Sequence, residues 1–303
     1  MPDLRTTSPI CMNPLDYGPW STVYGFAMTG KPTAVVTGAS SGIGEQLAVA
    51  LSVAGFEVVV VGRSADRTLA VANELKAEHY VADFAELGEV RQLGMTLARH
   101  HPHLDVLMNN AGGVAGARIE TVDGFEWTFQ VNHLAPFLLT GLLHANLAAS
   151  QGRVIVTAST ASTSRMARID FADLQSERGY RALRAYSRAK LANVLFAREL
   201  GRRWAVDGIA AASAHPGVVA SRFGSASTLP VRAVVASPLR RLMRSPAEGA
   251  DTLVWLATAP RSEWTSGEYF ADRAVTKSNP VADDVSVAAR LWEVSEELVA
   301  TMV

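Results

Sequence analysis

The sequence predicts an α/β fold in which a doubly wound parallel sheet carries helices on both faces. Three observations predict it. From Thr33 onward, β-rich apolar runs alternate with segments of helical spacing. The runs are continuously apolar rather than alternating in polarity, as strands covered on both faces must be. A glycine-rich turn joins the first run to the first helical segment.

Taken in order, the predicted strands are Ala34–Thr37, Glu57–Val61, His79–Ala82, Val106–Met108, Arg153–Thr157 and Ile209–Ala214. Between them the spacing predicts helices over Glu45–Ala54, Ala65–Lys76, Leu87–Arg99, Gly124–Leu147 and Tyr186–Trp204. A chain of 303 residues holds one large α/β domain or two small ones. No linker rich in Pro, Gly or Ser and no internal repeat divides it, so one domain is expected over 30–303, after a partly irregular arm at 1–29. Two stretches break the rhythm at carboxyl ends of strands, 160–185 and 218–246. Ligands bind at those ends in such sheets, which makes the two stretches the expected substrate lids.

Hydrophobic residues make up 49% and charged residues 19%, enough apolar material for a sizeable core. A formal net charge of -1 gives no reason to expect nucleic acid as a partner. No apolar run reaches the ~20 residues of a spanning helix, and the first 27 residues lack a basic start followed by an apolar stretch. The single Cys11 forms no internal disulfide, and no Cys/His spacing suits zinc. A reducing, cytoplasmic setting without a metal is therefore expected. His100, His101 and His103 crowd a helix end but are interrupted by Pro102, and read as a solvated terminus. Arg232, Arg240, Arg241 and Arg244, interleaved with Leu239, Leu242 and Met243, form a basic stretch of the second lid. It reads as a solvated face, with a membrane-surface contact or an acidic substrate as alternatives.

Thr37-Gly38-Ala39-Ser40-Ser41-Gly42-Ile43-Gly44 follows the first strand and opens a helix. Glycines allow the backbone to turn sharply and approach a pyrophosphate, while the helix terminus offers free N–H groups. The second strand ends Val61-Gly62-Arg63. An acid there would bind the ribose 2′-hydroxyl of NAD, whereas an arginine suits the 2′-phosphate of NADP. NADP(H) is the expected cofactor.

Thr37-Gly38-x-x-x-Gly42-x-Gly44, Asp83, Asn109-Asn110-Ala111-Gly112, Asn132, Ser159, Tyr186-x-x-x-Lys190 and Pro216-Gly217 occur in that order. Over about residues 30 to 275 the chain resembles the short-chain dehydrogenase/reductase family, and Gln130–Leu134 with Ala185–Asn193 resembles its retinol-dehydrogenase-like branch. The resemblance implies a Rossmann fold and an oxidoreductase that interconverts a carbonyl and an alcohol on a hydrophobic small molecule. It also implies roles. Asp83 contacts the adenine, with Phe84 beside it, and Asn109, Ala111 and Gly112 line the adenosine side of the cleft. Asn132 holds a water in a proton relay, and Ser159 binds the substrate oxygen. Tyr186 exchanges its proton, and Lys190 grips the nicotinamide ribose. Pro216 and Gly217 pass beside the nicotinamide ring, followed by Val219 and Ser221. Ser40, Ser41 and Ile43 complete the phosphate loop.

The chemistry of the residues agrees. Tyr186 and Lys190 stand at i and i+4 and share a helix face. An unperturbed phenol has a pKa of ~10. A nearby ammonium favours the phenolate, so Lys190 is expected to lower the pKa of Tyr186. Ser159 can polarise a carbonyl, and a bound nicotinamide supplies the hydride. Ala158 stands where the family often has a second serine, which keeps Thr157 and Thr160 as alternative hydroxyls. His215 reads as shaping the turn before Pro216, and His133 as a packing residue. Met166, Phe171 and Phe223 fall in the lids, where an apolar pocket and core packing explain them equally. The competing reading is a catalytically silent NADP-binding sensor or scaffold; the substrate and the choice among monomer, dimer and tetramer stay open.

Overall fold

Thr33–Thr37, buried along its whole length, forms strand β1 at the centre of the sheet. The structure, a computed structural model, describes residues 30–219 and 243–300. The predicted arm with Cys11, together with Ser221, Phe223, Arg232 and Arg240–Leu242 of the second lid, lies outside them. After β1 come α1 (Gly42–Val53), β2 (Glu57–Gly62), α2 (Ala65–Leu75), β3 (Glu78–Val81), α3 (Leu87–His100) and β4 (Val106–Asn109). The middle of the chain gives α4 (Trp127–Phe129), α5 (Ala135–Leu142), α6 (His144–Ala149), β5 (Arg153–Thr157), α7 (Ala182–Arg203) and β6 (Ala210–Ala214). The C-terminal part adds α8 (Pro246–Thr258), β7 (Tyr269–Ala271), β8 (Ala274–Val275) and α9 (Val285–Ala300).

The strand order is β3-β2-β1-β4-β5-β6-β7-β8, parallel throughout except for the β7–β8 pair. In register, Val36 faces Val60 on one side and Met108 on the other. The winding direction reverses between β1 and β4, and their carboxyl ends open the crevice that such a reversal creates. The sheet has two cores, as a doubly wound fold requires. Alternate residues of β2 divide between them: Val59 and Val61 pack with Leu97, Leu139 and Leu195, and Val58 and Val60 pack with Leu47, Leu51 and Leu253. Each fully buried leucine contributes about 2 kcal/mol of transfer free energy.

The helix expected over Gly124–Leu147 is broken. Gly124 lies in a turn, and the Glu126 carboxylate accepts hydrogen bonds from the backbone of Thr128 and Phe129 and so starts the helix at Trp127. Gln130–Leu134 is a π turn, in which the Ala135 N–H reaches back to the Gln130 carbonyl. Pro136 explains it: a proline ring collides with the carbonyl four residues earlier, and the wider turn makes room. The expected helix from Tyr186 begins one turn earlier, at Ala182. Past β6, the sequence reading assigned neither α8, β7, β8 nor α9. α8 carried a legible signal, a capping box in which Ser245 and Glu248 bond reciprocally with Pro246 between them. Among the described residues, no helix is long and apolar enough to cross a membrane.

Candidate active site

The crevice begins at the turn after β1. The Thr37 hydroxyl donates to the Met108 carbonyl and accepts from the N–H groups of Asn110 (3.0 Å) and Ala111 (3.1 Å), tying the ends of β1 and β4 together. The Asn110 amide donates to the Thr37 carbonyl at 3.0 Å. A Cβ on Gly44 would overlap the Gly38 carbonyl oxygen, so only glycine lets α1 start this close to the turn. Ser41 caps α1 without a side-chain hydrogen bond, so the first N–H groups of the helix stay open to a ligand.

Two connected chambers extend from this turn. The smaller, about 200 Å³, is lined by Ser40, Gly62, Arg63, Arg67, Asp83 and Phe84. The larger, about 590 Å³, reaches Ser159, Tyr186, Lys190, Pro216, Gly217 and Val219. Gly38, Ser41, Arg63, Ala111 and Gly112 line both, so they form one groove. In the smaller chamber the Arg63 guanidinium, 62% exposed, stands 3.7 Å from the Asp83 carboxylate. A Cβ on Gly62 would overlap the Thr68 hydroxyl and come within 2.8 Å of the Ser40 Cβ. The position where an acid would mark NAD thus has no space for one unless its neighbours move.

At the other end, α7 lays Tyr186 and Lys190 against β5. Lys190 is buried, and its Nζ donates to the Thr157 carbonyl at 2.9 Å and lies 5.8 Å from the centre of the Tyr186 ring. Burial pulls the Lys190 pKa down to about 7. Tyr186 keeps part of its surface open to the groove, yet burial pushes its pKa up to about 12, against a hydrogen bond from Ser159 that lowers it. The expectation that Lys190 acidifies Tyr186 is therefore corrected. At the Tyr186 hydroxyl, burial outweighs the Ser159 hydrogen bond, and Lys190 is itself desolvated.

Ser159 caps a short 3₁₀ turn, Thr160–Thr163, with its Oγ accepting from the Ala161 N–H. Its carbonyl accepts hydrogen bonds from the Ser162 hydroxyl at 2.6 Å and the Tyr269 hydroxyl at 3.2 Å. Of the alternative hydroxyls, Thr157 turns to Asn110 at 3.4 Å, and Thr160 lines the larger chamber.

Two expected residues stand apart from the groove lining. The Asn109 amide donates to the Thr140 hydroxyl on α5, so the groove-lining member of the pair is Asn110, which the sequence reading passed over. Asn132, fully buried on the π turn, donates to the carbonyls of Gly113 and Thr128 at 2.7 Å and accepts from the Gly113 N–H at 3.3 Å. Its side-chain amide holds the loop after β4. Leu183, Val218 and Met243 also line the large chamber, and Tyr269 holds Ser159 from behind; none was signalled by a motif. His215 accepts from the Gly217 N–H, and His133 packs among Phe129, Phe137 and Phe196. His100 and His101 flank Glu78, and no group of three metal-binding side chains occurs among the described residues.

The model of a protein family described as short chain dehydrogenase matches residues 32–229. A Streptomyces sp. (strain C5) protein named for daunorubicin C-13 ketoreductase activity is 45% identical over 273 residues, 87% of this chain and 91% of its own. Retinol dehydrogenase 14 of Mus musculus is 38% identical, covering 91% of this chain and 87% of its own. Among solved structures, an uncharacterized protein from Mycobacterium paratuberculosis aligns with TM-score 0.71 at 29% identity, over 89% of this chain and 94% of its own. A Beutenbergia cavernae protein named as an NAD(P)-dependent gluconate 5-dehydrogenase, with NADP bound at low occupancy, aligns with TM-score 0.64 at 28% identity, over 84% and 97%.

Proposed function

Because this chain belongs to the short-chain dehydrogenase family, as a retinol-dehydrogenase-like oxidoreductase, we propose that it uses NADP(H) to interconvert a carbonyl and an alcohol on a hydrophobic small molecule. The observation that carries this reading is one groove with Arg63 and Arg67 at one end and Ser159, Tyr186 and Lys190 at the other. The residues fit a dinucleotide. The open N-terminus of α1 and the glycine turn suit its pyrophosphate. Arg63, beside a Gly62 too crowded for an acid, suits a 2′-phosphate. When bound, the nicotinamide supplies or accepts the hydride.

The chain's own residues handle the proton. With a pKa near 12, Tyr186 is protonated at neutral pH and donates its proton to the substrate oxygen in the direction of reduction. Ser159 donates a hydrogen bond to the same oxygen, and its carbonyl, fixed by Ser162 and Tyr269, keeps it in place. As the phenolate forms, the Lys190 amine becomes worth protonating, because an adjacent anion raises its pKa again. Ile43, Leu183, Val218, Val219 and Met243 give the large chamber an apolar wall. Relatives named for retinol and for the daunorubicin C-13 ketone support a substrate of that class. A cytoplasmic setting belongs to the same proposal.

The test is NADPH oxidation by the full chain with a panel of aldehydes and ketones. NADPH should serve better than NADH. Tyr186→Phe should lower turnover by at least ~100-fold while leaving NADPH affinity within about twofold. Retained turnover in that variant would remove Tyr186 as the proton donor.

A further inference from the structure

We propose that the cavity between the first lid and the N-terminus of α7 binds a small oxyanion, a phosphate or a carboxylate, between Arg184 and Arg188. This cavity, about 240 Å³, is separate from the groove, and its lining includes Asp170, Asp173, Arg178, Arg181, Arg184 and Arg188.

Arg188 carries the argument. It is 6% exposed, and a buried guanidinium needs acceptors for its five N–H groups. Its NH1 is satisfied by the lid, through the carbonyls of Asp173 and Leu174 and the Ser176 hydroxyl. Nε is buried without a hydrogen-bond partner, and the guanidinium's hydrogen bonds to the lid all run through NH1. The Nε–NH2 edge left over is the edge that grips two oxygens of one carboxylate or phosphate. A second feature points the same way. Arg181 caps the 22-residue helix α7 without a side-chain hydrogen bond, which leaves the N–H groups of its first turn without acceptors and the positive end of its dipole uncovered.

The two acids in the lining act on Arg188 as charges, as does Glu126, and both also have backbone partners in the lid. Asp170 accepts from the Ala172 N–H, and Asp173 from the N–H groups of Glu177 and Arg178, so both close turns of the lid. Four guanidinium groups against two carboxylates leave the lining positive. Bound there, an anion ties the lid to α7 beside Leu183, which lines the catalytic chamber.

The experiment is calorimetric titration of the full chain with inorganic phosphate and, separately, with succinate, at ionic strength fixed by sodium chloride. Saturable one-site binding is expected, weakened at least about tenfold by Arg184→Gln. Arg184 is exposed and makes none of the lid's hydrogen bonds, so this variant keeps the lid's anchoring. Arg63→Gln, which disables the nucleotide end of the groove, should leave the binding unchanged. Tighter binding of phosphate would assign a phosphoryl ligand, and tighter binding of succinate a carboxylate; either supports the site. Binding lost in Arg63→Gln but kept in Arg184→Gln, or heat that follows ionic strength without saturating, overturns it. None of these outcomes depends on turnover, so the catalytic proposal and this one fail separately.

Discussion

Lys190→Met should make the cofactor-free protein more stable at neutral pH and abolish part of its pH dependence. In the unfolded chain Lys190 titrates at its ordinary 10.5, whereas in the fold burial holds it near 7. Between those values the unfolded state binds more protons than the folded one, so stability rises with pH across that window. The gap corresponds to about 5 kcal/mol of disfavour for the folded state below pH 7. Between pH 7 and 9 the relief amounts to about 2 kcal/mol. Methionine has a similar length and no charge, so its curve lacks this rise. It also leaves the Thr157 carbonyl without its 2.9 Å donor, a loss of about 1 kcal/mol, softened because the Asn193 amide reaches the same oxygen at 3.3 Å. At pH 7 the variant should therefore be net more stable. Urea unfolding of both proteins at pH 7, 8 and 9 measures this directly, and the difference between them should shrink by about 2 kcal/mol as pH rises. Parallel stability curves would refute the buried, unpaired lysine.

Three further outcomes are expected. Arg63→Gln should raise the KM for NADPH about tenfold and leave that for NADH nearly unchanged, by steady-state kinetics with both cofactors. Tyr269→Phe removes the hydroxyl that holds the Ser159 carbonyl at 3.2 Å; kcat should fall severalfold while the KM for NADPH stays put, and an unchanged kcat would take Tyr269 out of the site. Trp292→Ala on α9 deletes a ring packed against Phe137, Phe196 and Trp204 and covered by the Arg203 guanidinium. It should cost about 3–5 kcal/mol in denaturant unfolding, because the lost indole joins α5, α7 and α9.

The sequence reading found the sheet up to β6 because its strands are continuous apolar runs, and because the glycine turn and the Tyr-x-x-x-Lys spacing are local patterns. What it missed lacks such a pattern. β7 and β8 are three and two residues long, too short for a periodicity, and they exist because they complete the sheet beside β6. Asn109 and Asn110 are adjacent and chemically identical, so only the end of β4 decides which one turns toward α5 and which toward Thr37. Tyr269 meets Ser159 across 110 positions. The sign of the Tyr186 shift was misjudged for a related reason. The spacing to Lys190 is written in the sequence, but the burial that raises the Tyr186 pKa is a property of the packed helix.

Helix α7 also buries Glu199, and the contrast between it and Lys190 separates structure from function. Glu199 is 1% exposed and is answered by Arg202 and Arg203 at 2.5 and 2.6 Å, which hold its carboxylate below the usual range. Its charge is compensated within one helical turn, as a structural charge must be. Lys190, nine residues earlier, is nearly as buried, has no carboxylate paired with it among the described residues, and lines a large open groove. A stable fold on its own has no use for such a group, since replacing it with an apolar residue is predicted to help. The destabilisation is recovered only when something negative enters the groove and restores the lysine's charge. On the proposed function, a nascent phenolate at Tyr186 does this, its ring centre 5.8 Å from the Lys190 Nζ. A residue that burdens the cofactor-free fold is therefore, on that same function, one whose field strengthens as the phenolate forms.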